Sequence, residues 1–148
     1  MSQTQMATAR IGGHPIHAML ASFPIACFSG ALVTDIAFVC TDNIMWSDFS
    51  DWLLAVGVVM AVLAAIAGIV DFVANRRLRR QRPAWPHALG NIVVLALAVW
   101  DNLEHTHDAW TSVMPMGLIL SAATVLIMAV TSWWGSSIVY DERVGVRP

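Results

Sequence analysis

The chain has 148 residues, 57% hydrophobic and 12% charged, with a formal net charge of −2 and a mean hydropathy of +0.65. A soluble domain carries about 25% charged residues, so the composition points away from a soluble enzyme and toward one integral-membrane domain spanning residues 1–148. The basic residues between the apolar segments form one short run, and no nucleic-acid partner is expected.

Four apolar segments follow in chain order, roughly 16–40, 52–74, 86–103 and 113–134. A spanning helix needs about 20 apolar residues; the first, second and fourth reach this and the third is marginal. The predicted fold class is all-α, a four-helix transmembrane bundle with short connections. The first segment is too long for the apolar region of a cleavable signal and reads as a retained helix. It holds both cysteines, Cys27 and Cys40. On one helix they stand roughly 20 Å apart, too far for a disulfide.

Charge sets the expected orientation. Residues 75–85, NRRLRRQRPAW, carry five arginines. Residues 41–51, TDNIMWSDFSD, carry three aspartates and no cation, and residues 101–111, DNLEHTHDAWT, are acidic. With Arg10 in the leader and Arg143 and Arg147 in the tail, all eight cations fall on one side of a four-span protein. The positive-inside rule puts that side and both termini in the cytoplasm. Trp46, Trp52, Trp100 and Trp110 would mark the outer interface, and Trp85, Trp133 and Trp134 the inner one.

Small residues suggest close packing. Ser22, Ala26, Gly30 and Thr34 recur every four residues in the first segment, and Gly57, Ala61 and Ala65 in the second, with Ala64 and Gly68 alongside. Such stripes let helix backbones approach in lipid.

The first segment opens GGHPIHAMLASFP, with Pro15 suited to a helix's first turn. His14 then lies at the cap and His17 in the first turn. The third segment opens WPHALGN, where Pro86 plays the same part before His87, and Asn91 follows one turn later. His14, His17 and His87 therefore converge on one membrane level. Bis-histidine haem ligation asks for imidazoles from facing helices, a slot without bulk and cations for the propionates. His17 or His14 with His87 would supply the first. Gly90, Ala88 and Ala18 would supply the second. Arg10, Arg76, Arg77, Arg79, Arg80 and Arg82 would supply the third. The same residues also suit a scaffold at a wet helix end, another metal or a proton relay.

Asp71, before the arginines, and Asp35, near the outer end of the first segment, are intramembrane carboxylates, rare enough to suggest function. Asp71 can pair with an arginine or a histidine. A proton or small-solute pathway through Asp35 and Asp71 is a further option. The stretch EHTHD, 104–108, has metal-ligand residue types without a closed set of four and reads as a solvated loop. Serine-hydrolase, P-loop and dinucleotide motifs are lacking.

These motifs resemble a known family. GGHPIHAMLASFPIACF is similar to the GHPxHPMLxxFPxxxF opening of the bacterial domain-of-unknown-function family numbered 2231, small four-helix inner-membrane proteins. AAIAGIVDF, WPHALGN and TSWWGSSIVYDERVGV are similar, in order, to three further motifs of that family. Ala18 stands where the family has a second proline, and Ser132, Ser136 and Ser137 stand in a tail that is glycine-rich in the family. Some members are joined to Rieske-type iron–sulfur domains, so the resemblance implies electron transfer.

The expected function is a small b-type cytochrome-like redox subunit, multi-pass in the bacterial inner membrane, with haem b near the cytoplasmic side. His17 and His87 would be the axial ligands and His14 an accessory or alternative one. Asp71 and Asn91 would orient the imidazoles through their second nitrogens, and Arg76 and Arg77 would anchor the propionates. The alternative is a cofactor-free accessory subunit of a larger membrane complex. Expected partners are the lipid bilayer, a redox partner or larger complex, and a second copy of the chain.

Overall fold

The structure, a computed structural model, describes residues 10–11, 14–76, 78–108 and 110–140. Two two-residue strands come first, β1 (Arg10–Ile11) and β2 (His14–Pro15), paired antiparallel with Ile11 opposite His14. Four long helices follow: α1 (Ile16–Thr41), α2 (Ile44–Ala74), α3 (Ala84–His105) and α4 (Leu118–Tyr140). A short 3-10 turn, Leu78–Arg80, lies between α2 and α3. A π-type turn, Val113–Gly117, leads into α4.

The helices are longer than the apolar segments that announce them. The stretch 41–51, read as a loop, is a two-residue turn followed by helix. Asp42 takes the left-handed conformation (φ 50°) and its N–H returns to the Phe38 carbonyl at 2.8 Å, ending α1. Asn43 then caps α2, its side chain accepting the Met45 N–H at 3.1 Å. Asp and Asn tolerate both roles, so α2 starts eight residues before the expected 52. At the far end of α3 the helix runs on to His105, two residues past the expected 103. It therefore takes in a histidine assigned to the solvated loop.

All four helices are long and apolar enough to cross a membrane. Their outward faces carry exposed aliphatic residues such as Val33, Val59, Ile66 and Leu126, the surface lipid would cover. Trp52, Trp85, Trp100, Trp110 and Trp133 are exposed near helix ends, as an interfacial belt requires.

Inside, Phe28, Ala31, Leu54, Val94, Ala98 and Met128 form one apolar cluster at mid-bundle. α1 packs most fully on α2, and α3 on α4; lighter seams join α2 to α3 and α1 to α4. α1 and α3 thus stand on one diagonal of a square, α2 and α4 on the other. Half of the expected small-residue face of α1 turns inward: Gly30 and Thr34 do, and Ser22 and Ala26 are exposed. On α2 the reading holds better. Gly57 is buried, and a Cβ there would meet the Phe28 ring at 2.5 Å. Phe28 is wholly buried because Gly57 leaves room for it.

Candidate functional site

Two polar centres bracket the apolar cluster, one at each end of the bundle. The first belongs to the histidines. His17 Nδ1 lies 2.8 Å from the carbonyl oxygen of Ala64 on α2, and His87 Nδ1 lies 2.8 Å from that of Thr131 on α4. A carbonyl only accepts, so each Nδ1 carries the hydrogen, and in the neutral ring Nε2 keeps a lone pair. The two rings meet across the α1–α3 diagonal, centroids 6.0 Å apart and planes at 88°. Each rests on a glycine one turn beyond its carbonyl. A Cβ at Gly68 would come 2.9 Å from His17 Nδ1, and one at Gly135 would come 2.8 Å from His87 Cε1.

Asn91 joins this centre differently from the expectation. Its Nδ2 donates to His87 Nε2 at 3.1 Å and to the His87 carbonyl at 2.8 Å. At Nδ1 both rings are held by backbone carbonyls, while Asn91 meets His87 chiefly at Nε2. Asp71 is buried on α2 three residues past Gly68, and its carbonyl accepts the Asn75 N–H. His14 sits exposed on β2 and is not gathered into the pair. Arg79 donates to the carbonyls of Phe72 (3.2 Å) and Val73 (2.6 Å), closing the end of α2, where a cation is favoured. Arg76, Arg80 and Arg82 are exposed. Arg77 and the side chain of Arg10 lie outside the described residues.

Bis-imidazole haem ligation would call on the two Nε2 atoms, one from each helix of the diagonal; each Nδ1 is already held by a carbonyl, the usual support of a metal-bound histidine. The lightly packed seam between the α1–α2 and α3–α4 hairpins crosses between the rings. Gly90, however, offers no slot: the Thr131 methyl fills the place of its Cβ, with the Trp134 ring 3.8 Å away. Asn91 would also have to leave His87 Nε2.

Of the second centre, Asp35 alone stood out in the sequence, as an intramembrane carboxylate. Asp35, Asp101 and His105 are 0%, 0% and 1% exposed. His105 Nε2 lies 3.1 Å from Asp35 Oδ1, again across the α1–α3 diagonal, and His105 Nδ1 lies 3.1 Å from Asp101 Oδ1. Ser50 of α2 donates to Asp35 Oδ1 at 2.5 Å and is itself 2.7 Å from Thr34. Ser121 of α4 contacts both carboxylates. All four helices are tied together here. The reading of EHTHD as solvated holds for the exposed His107 and Asp108 and fails for His105. Among the described residues, no group of three or more His, Cys, Asp and Glu side chains is arranged to hold a metal ion.

A spacing links the two centres. His17 to Asp35 is eighteen residues, and so is His87 to His105. Two glycines repeat it: Gly135 of α4 borders His87, and Gly117, the last residue of the π-type turn, borders His105, a Cβ there reaching 2.6 Å from the His105 ring. Eighteen residues are about five turns of α-helix, so both members of each pair lie on one face. Applied to His87, that spacing would have pointed to His105.

Residues 13–148 match the model of a family described as "Predicted membrane protein (DUF2231)". The chain belongs to this family and is a multi-pass integral membrane protein. No curated protein and no solved structure matches it.

Proposed function

We propose that this DUF2231 protein is a small b-type cytochrome-like redox subunit of the bacterial inner membrane, with haem b held at the His17 end and that end facing the cytoplasm. One observation carries the reading: two imidazoles from diagonal helices, 6.0 Å apart, each tied by Nδ1 to a backbone carbonyl. His17 and His87 would hold the iron through Nε2. Ala64 and Thr131 keep both rings in the required tautomer and orientation. Gly68 and Gly135 let the rings lie against the helix backbones. Arg76 follows α2 at the same end and would meet a propionate, as would Arg77, its neighbour in the sequence, with Asp71 balancing the charge. Haem bound there would supply one-electron transfer, and a redox partner or larger membrane complex would supply and remove the electron.

A second reading rests on its own observation. The hydrogen bond from Asn91 to His87 Nε2 and the filled space at Gly90 suit a cofactor-free accessory subunit, whose histidines knit the helix ends together. The reduced-minus-oxidised visible spectrum of the detergent-purified protein separates the two. Sharp Soret and α bands, lost in both His17→Ala and His87→Ala, support the cytochrome. A flat spectrum from haem-replete cells removes it.

A further inference from the structure

The second polar centre carries an inference independent of haem. We propose that Asp35, Ser121 and Asp101 share one exchangeable proton, which makes the Asp35–His105–Asp101 cluster a proton-binding site at the end of the bundle opposite His17.

The argument is a count of hydrogens. Ser121 Oγ lies 2.5 Å from Asp35 Oδ2 and 2.8 Å from Asp101 Oδ2. A serine hydroxyl owns one hydrogen, and an ionised carboxylate only accepts. Ser121 can therefore serve one carboxylate. The other contact is a hydrogen bond only if that carboxyl is protonated and donates to Ser121. Ser50 cannot replace this hydrogen, because it meets Asp35 at Oδ1 and not at the oxygen that faces Ser121.

Charge leads to the same state. His105 faces acceptors at both nitrogens: Asp35 Oδ1 at Nε2 and the Asp101 carbonyl at Nδ1, with Asp101 Oδ1 also 3.1 Å from Nδ1 but outside hydrogen-bonding geometry. Both nitrogens donate, so the ring is an imidazolium. One imidazolium, one carboxylate and one carboxylic acid sum to zero, the sum that burial favours. Loss of the shared proton leaves a net negative charge among groups at most 1% exposed. The other ionisable neighbours are acidic: Asp51, half-buried on α2, interacts with His105 and Asp35, and Asp48 is exposed beside it. They favour retention of the proton.

The surroundings also have polar capacity to spare. Thr124 lies one turn from Ser121 on α4, and the Ser112 carbonyl borders Gly117 together with the His105 ring. Both residues are 1% exposed, and neither hydroxyl oxygen has a hydrogen-bond partner.

The transfer is balanced. The Asp101 carboxyl gives its proton to Ser121 Oγ while Ser121 gives its own to Asp35. One O–H bond forms and one breaks at the serine, and the negative charge moves from Asp35 to Asp101, from α1 to α3.

The test is infrared spectroscopy of the full chain in lipid nanodiscs at neutral pH, in H2O and D2O. A protonated-carboxyl stretch that shifts in D2O and vanishes reversibly at high pH is expected in the wild type; its absence there overturns the proposal without any variant. Asp35→Asn and Asp101→Asn should each abolish the band, since the remaining carboxyl then ionises beside His105. The exposed control Asp108→Asn should keep it. Ser121→Ala, which leaves both carboxyls, should move the band. A band that survives both aspartate variants, or stays unmoved in Ser121→Ala, belongs to another group and refutes the assignment.

Discussion

Buried polar residues decide most at the scale of single side chains. Asp35→Ala would leave the buried His105 Nε2–H without its acceptor, a loss of about 1–3 kcal/mol. The isosteric Asp35→Asn should cost clearly less. Thermal unfolding of the two variants in one detergent checks the order. Glycine substitutions test the first centre. Gly135→Ala drives a methyl into the His87 ring and Gly68→Ala into His17, and such overpacking costs about 1–3 kcal/mol. Gly30→Ala meets only the flexible end of Leu53 at 3.2 Å and should shift the melting temperature least of the three. His17 and His87 were legible because a proline at the start of the helix precedes each and fixes its depth. Asp101 and His105 were not, because DNLEHTHD has the composition of a loop, and nothing local says that two of its eight residues turn inward.

The largest departure among the elements is α2. Its 31 residues make roughly 46 Å of helix against about 30 Å of hydrocarbon, so it must tilt or protrude. The added turns, Ile44–Asp51, were hidden because hydropathy reads their acidic outer face. Their inner face is Ser47 and Ser50, both wholly buried. Asn43 starts this extension, and Asn43→Ala should cost about 1 kcal/mol. Amide hydrogen exchange should then quicken over residues 44–51 and stay unchanged in α4. Existence and order of the four spans were plain from hydropathy. Their ends were not, since helix ends are set by caps and by polar contacts across the bundle.

For the whole molecule, the lopsided arginines predict both termini inside. In cysteine-free spheroplasts, a membrane-impermeant thiol reagent should label Asp42→Cys and Asp108→Cys and spare Arg80→Cys; the opposite pattern would invert the bundle and put the histidine pair outside. The eighteen-residue interval also makes α1 and α3 angular gauges as well as spacers. Each residue turns a helix by about 100°, and five closed turns return the second polar group to the bearing of the first. One alanine inserted at mid-α1 would swing Asp35 through that angle relative to His17, pointing one of the two into lipid. Length changes within these helices are therefore constrained by rotation before they are constrained by membrane thickness.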